Sequence, residues 1–357
     1  MRNNMPPAPV HDLTIQSHFN DLVVATYGRG FWIMDDITPL QQLTEEVIAS
    51  EVHLFAPRTA YRFLTRQGSQ SQPEDPGAGS NPTYGASISF YLGSVPVAGV
   101  QLEIHDAEGR PVQSLSTDRL RPGINRVHWD LRERSSNTPR LRTSPSEHTH
   151  LELPDQGWRS LSEGGRVRPL APPGEYTVTL RAAGFELVQP LELLKDPNSG
   201  GSELEIQEQV TMVREIRESV DSVVALIDQI EWIRTRTQLV LERNANHAAA
   251  QEIRRAGETL EEVLIELEMR LFDVRLTGGS ARQDTLRWAR RLYARLTSLA
   301  GYITGTDDRP TDQSREVFEM LRSELEDYQR QMVAVREDLA TFNRLLDDRG
   351  IEPISPN

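Results

Sequence analysis

The 357-residue sequence contains no cysteine, which excludes disulfides, thiolate metal sites and cysteine nucleophiles. Lysine is almost as scarce: Lys195 is the only one among 39 basic residues, and the arginine bias reads as a codon preference. Acidic residues number 53 and the formal net charge is -14, so the chain lacks the basic surface that grips nucleic acid or anionic lipid. No apolar run approaches the length that crosses a bilayer, so no membrane span is expected. The opening "MRNNMPPAPVHD" has no apolar core behind its arginine and does not read as a signal peptide. Gly-x-Ser-x-Gly, a P-loop, a dinucleotide fingerprint and His-Glu-x-x-His are all lacking, and no cofactor is expected.

What is present changes character along the chain. Residues 10–37 read as three short strands, "VHDLTIQ", "LVVATY" and "FWIMDDI", punctuated by Asn-Asp and by "GRG". Three strands form a sheet with too little to cover it, and no second copy of the pattern follows. A short helical candidate spans Leu40 to Ile48, and "RQGSQSQPEDPGAGSNP", residues 66–82, reads as a flexible loop or lid. Alternating strands then recur in "VHLFAPRTAYRF", "ASISFYL", "VQLEIHDAEGRPVQSL", "GINRVHWDL" and "GEYTVTLRAAGFELVQPLELL". Regular short strands with turn signals point to an immunoglobulin-like sandwich, with the irregular residues 132–172 as an excursion from it.

After "KDPNSGGS" the period changes from two to about three and a half. Ile206, Val210, Val213, Val220, Val223, Ile227 and Ile230 share one helix face. Ile253, Leu260, Val263, Leu267, Leu271 and Val274 make a second stripe, stopped by "TGGS". Leu286, Leu292, Leu296, Leu299 and Ile303 make a third, and Val317, Leu321, Leu325, Tyr328, Met332, Val335, Leu339 and Phe342 a fourth. Four amphipathic helices with short joins predict an antiparallel bundle.

"HDLTIQSHFNDLVVATYGRGFWIMDDITPL" resembles the last blade of the large bacterial β-propeller proteins of the sortilin-like, bacterial-neuraminidase-repeat class, often labelled glycosyl hydrolases. "EIHDAEGRPVQSL", "GINRVHWDLR", "PPGEYTVTL" and "KDPN" are similar to the sandwich that follows the propeller there, itself like the Ig-like module of flagellar hook-capping proteins. "RPTDQSREVFEML" and "FNRLLDDRGIEPI" resemble the helical tail of the same proteins. The resemblance implies that the preceding blades are absent from this chain, which would make it a fragment, and that the parent is exported, to the periplasm or the outside.

Several residue groups carry possible chemistry, each beside a plainer reading. The turn Gly28, Arg29 and Gly30 could hold an anion on backbone amides and a guanidinium, or serve only as a tight turn. Asp35 and Asp36 could bind a cation or act as acid and base, or cap the turn that follows. Glu147, His148 and His150 have ligand types for zinc or nickel but sit in an irregular loop without a second ligand group. Trp129, Trp158 and Tyr176 could stack on sugar; Trp129 and Tyr176 fit core positions, whereas Trp158 lies in a loop. Trp232, Trp288 and Phe318 read as core or interface residues.

The sequence therefore predicts a mixed β-then-α chain. Terminal propeller-blade strands and linker occupy residues 1–49, an Ig-like β-sandwich with long loops residues 50–196, and an antiparallel four-helix bundle residues 197–357. The expected role is that of a non-catalytic accessory and interaction region of a larger exported propeller protein, partnered by the rest of that protein. The alternatives are part of a glycosidase whose site is built by the missing blades, where Glu147 or Asp155 would contribute, and a carbohydrate-binding module acting through Trp158.

Overall fold

The computed structural model of the chain describes residue 5 and residues 7–64, 79–277 and 284–355. Most of the expected loop 66–82 and most of the "TGGS" stop signal lie outside the described residues. In chain order, the first elements are β1 (Val10–Gln16), β2 (Asp21–Thr26), β3 (Phe31–Met34), α1 (Thr38–Gln41) and α2 (Glu45–Ala49). Strands β4 (Val52–Leu54), β5 (Ala60–Arg62), β6 (Ala86–Leu92), β7 (Val100–Asp106), β8 (Pro111–Leu115) and β9 (Gly123–Trp129) follow. Next come β10 (Arg140–Leu141), β11 (Arg159–Ser160), β12 (Gly174–Ala182) and β13 (Phe185–Lys195). The helices are α3 (Glu203–Arg243), α4 (Ala250–Leu271), α5 (Asp284–Arg287), α6 (Leu292–Ile303) and α7 (Asp312–Asp348).

The chain divides into two compact units, residues 1–134 with 170–203, and residues 135–169 with 204–357. In the first, a five-stranded sheet runs β5-β13-β12-β7-β8 and a three-stranded sheet runs β4-β6-β9. Period-two alternation explains both: Leu102, Ile104, Val178 and Leu180 from the larger sheet and Ile88, Phe90 and Trp129 from the smaller close one hydrophobic cluster. The β12–β13 hairpin turns on Ala183 and Gly184, both with positive φ, the conformation a tight two-residue hairpin needs. Gly85 has no room for a side chain, since a Cβ there would stand 1.9 Å from the Trp129 carbonyl oxygen. The remaining sheet of this unit, β1-β2-β3, is an antiparallel meander.

In the second unit α3, α4, α6 and α7 all contribute to one hydrophobic cluster, which takes in the first stripe from Val213 to Ile230, while Ile206 and Val210 are buried outside that cluster. Helix α3 has 41 residues, roughly 60 Å of axis. Three stripe residues face water instead: Val263, Val317 and Leu286, the last on the separate short helix α5 and 84% exposed. Phe318 is buried, while Trp232 lies half out under the guanidinium groups of Arg142 and Arg236.

The middle segment belongs elsewhere than expected. Read as an excursion from the sandwich, it falls from residue 135 to residue 169 within the helical unit. Leu141 and Val167 join the helical cluster, and carboxylates of α3 accept its backbone amides. Such long-range bonds leave no local period in the sequence, so the segment reads as irregular although it is fixed in place.

Candidate functional site

The β1-β2-β3 sheet is the most unusual surface of the first unit. Its register stacks Leu13, Val24 and Trp32 in one cross-strand row and Ile15, Leu22 and Met34 in a second on the same face. The opposite face carries Val23, Ala25, Phe31 and Ile33, with Asp12 and Thr14 of β1 beside them. Apolar side chains on both faces call for cover on both sides. Yet Phe31 is 77% exposed, Ile33 62% and Leu13 58%, and every residue of β1 is exposed.

An acidic corner anchors this sheet. Arg126 on β9 donates to the backbone carbonyls of Asp35, at 3.0 Å, and Asp36, at 2.6 Å. Asp36 is buried, with positive φ; its amide donates to Asp21 Oδ1 at 2.8 Å and its own Oδ1 accepts the Thr38 amide at the start of α1. Arg58 approaches the other Asp36 oxygen at 3.8 Å. Burial, with Asp21 nearby, raises the Asp35 carboxyl above its ordinary range, and Arg126 and Arg58 offset part of that. His128, on the same strand as Arg126, is lowered by burial and by that guanidinium. These groups tie backbone to backbone, and Asp35 and Asp36 act here through their carbonyls and a capping carboxylate.

The other candidates stay apart from this corner. Gly28 and Gly30 both have φ near +70°, and Arg29 offers its carbonyl to Trp32 Nε1 at 3.1 Å, which describes a tight β2–β3 turn. His148 and His150 have ring centroids 5.9 Å apart in the helical unit, and among the described residues no group of three or more His, Cys, Asp or Glu is placed to hold a metal. Trp158, in the same segment, is partly covered with Arg140 over its ring. Trp129 and Tyr176 are buried edge to face with centroids 5.2 Å apart, so they are core rather than a platform.

The most concentrated chemistry lies inside the helical unit. Glu231 on α3 and Glu268 on α4 are fully buried, with Arg234 joined to Glu268 and within 3.7 Å of Glu231. Glu231 also accepts the amides of Arg142 and Thr143 and the Thr143 hydroxyl. Burial first, then the facing Glu231, pushes the Glu268 carboxyl well above the usual range, with Arg234 only partly offsetting. A signal for this was legible: Glu231 and Arg234 extend the stripe of Ile227 and Ile230, and Glu268 sits among Leu264, Leu267 and Leu271. A charge on an apolar stripe marks a buried pair. A groove of about 650 Å³ between α4 and α7 is lined by Leu260, Phe342 and Leu345 and, among its polar groups, by Glu252, Arg255 and Asp338.

The chain matches no protein-family model, no curated protein and no solved structure.

Proposed function

We propose that this chain is a non-catalytic interaction region of a larger, exported β-propeller protein of the class labelled glycosyl hydrolase, to which it docks through the β1-β2-β3 sheet. The observation that carries the reading is the sheet itself, which exposes apolar side chains on each face, Leu13, Ile15 and Met34 on one and Phe31 and Ile33 on the other. A propeller blade is packed by a neighbour on each side, and a sheet of this patterning is suited to that position. Its fixed attachment through Arg126 favours a docking element over a frayed terminus.

The finer architecture follows the same reading. An Ig-like sandwich is supported by buried Trp129 against Tyr176, whose hydroxyl donates back to the Pro172 carbonyl at 2.7 Å. A four-helix bundle is supported by four amphipathic helices sharing one core. Two acid pairs, Glu231 with Glu268 and Glu163 with Asp273, are buried in the helical unit and closed to a sugar polymer, and at the corner of the first unit Asp35 and Asp36 serve as backbone anchors for Arg126. That favours docking over glycoside hydrolysis.

The test is the size and location of the native product in its source cells, detected with an antibody to α7. A secreted or periplasmic product far above 40.4 kDa that carries propeller blades is expected. A monomeric cytoplasmic product of 40.4 kDa with no propeller partner would overturn the reading.

A further inference from the structure

Residues 135–169 lie against α3 and the end of α4 in a way that reads the backbone of the segment. Asp221, Asp228 and Glu231 are spaced by seven and three, which places them on one face of α3. Asp221 Oδ1 accepts the Asn137 amide at 2.7 Å and Asp228 Oδ1 the Arg140 amide at 3.0 Å. Glu231 accepts the next two free amides, of Arg142 and Thr143, and the Thr143 hydroxyl. From the segment's far limb, Arg159 reaches the carbonyls of Thr143, at 2.9 Å, and Leu276, at 2.8 Å. Gly165 is held by the Tyr293 hydroxyl at 3.0 Å.

At both ends of this strap an acid faces an acid. Glu231, under the amides of residues 142 and 143, faces fully buried Glu268; the charged groups around them are Arg234, Glu261, Arg159 and the Arg142–Asp228 pair. Glu163, on the strap itself, is buried with its Oε2 unpartnered and faces fully buried Asp273, with Arg290 and Arg291 as the nearby cations. Asp273 is already engaged by Arg275 through two hydrogen bonds of 2.8 and 2.7 Å.

We propose that residues 135–169 form a proton-controlled strap, held closed on α3 and α4 while Glu163 and Glu268 are protonated and loosened as they ionise.

Both carboxylates are buried with the strap in place: Glu163 lies on it, and Thr143 of the strap bonds both Glu231 and Arg234, the ion partner of Glu268. Burial, then Asp273, pushes the Glu163 carboxyl up to about 7, against 4.5 for a free side chain. Burial, then Glu231, raises Glu268 in the same direction. For an acid raised in the closed form, the closed state binds more protons than the open one between the two pKa values. Closure is therefore favoured fully below pH 4.5, is weakened as pH rises, and levels off above about 7 for the Glu163 contribution.

Hydrogen–deuterium exchange on the full chain, corrected for the intrinsic rate at each pH, tests this. Protection of the amides at residues 137–143 is expected to fall roughly tenfold to a hundredfold between pH 5 and pH 8, since each pKa unit is worth tenfold. Amides of α7 around Leu339 should hold their protection. Glu163→Gln and Glu268→Gln, which mimic the neutral acid, should each flatten the fall; a variant that folds is recognised by its α7 protection. The strap proposal is overturned if wild-type protection at 137–143 is flat over that range, if α7 loses protection in parallel, or if folded variants keep the wild-type slope.

Discussion

The β1-β2-β3 sheet and the 135–169 strap are opposites. The sheet is apolar and exposed, with Phe31, Ile33 and Leu13 standing in solvent. The strap is rich in Pro, Ser, Arg and His, yet it places Thr143, Arg159 and Glu163 in buried positions. Apolar patterning reveals which surface wants cover but not what covers it. Hydrogen bonding to buried carboxylates can fix a polar segment that has no apolar pattern at all. The two regions are therefore held by different physics, and substitutions should separate them.

The largest effect is expected where the strap's acceptor is removed. Glu231→Ala strips the amides of Arg142 and Thr143 and the Thr143 hydroxyl of their shared acceptor, while Arg234 keeps Glu268 and Glu261. Each buried donor left without an acceptor costs about 1–3 kcal/mol. Urea denaturation followed by a helix signal should show that loss in the helical unit; a shift within about 0.5 kcal/mol, the size typical of surface changes, would refute the assignment of Glu231 as the clasp.

A smaller effect is expected at the sheet's anchor. Arg126→Ala removes charged donors to the Asp35 and Asp36 carbonyls. Bonds of that type contribute about 1.5–3 kcal/mol. The loss should appear as faster exchange of β2 amides with little change in β12, whereas equal loss in both would mean that the sheet and the rest of the unit unfold together.

These contrasts also mark what the sequence could reveal. Strands β1 to β3, the β12–β13 hairpin and the stripe from Ile206 to Ile230 follow from period and turn residues, because each is a local pattern. Trp129 and Tyr176 are legible as core for the same reason. Leu286 was misplaced because a stripe says nothing of where one helix stops and the next begins. The strap's docking was illegible, since it depends on contacts such as Asn137 to Asp221, 84 residues apart. The acid cluster was half legible: charges on an apolar stripe announce burial, but their partner on another helix does not appear in the spacing.

On the sheet itself, a paired substitution sharpens the difference further. Leu13→Lys with Ile33→Lys places one charge on each face of β1-β2-β3, where both native side chains are exposed. Stability should stay within about 0.5 kcal/mol of the parent, as for other surface changes. Self-association measured by light scattering should fall, because charges on an open apolar sheet oppose edge-to-edge and face-to-face pairing. A marked loss of stability instead would mean that these side chains are covered in the free chain.

A modest effect is expected at Trp158. Its ring carries the Arg140 guanidinium at 5.4 Å, and Arg140 in turn donates its amide to Asp228. Contacts of this kind at partly exposed sites are worth about 0.5–1 kcal/mol. Trp158→Ala should therefore loosen the strap slightly, seen as modestly faster exchange at residues 140–143, and should leave retention on polysaccharide columns unchanged. Loss of retention without any change in exchange would move Trp158 from the strap's packing to a sugar-binding role, and would favour a carbohydrate module over a docking region.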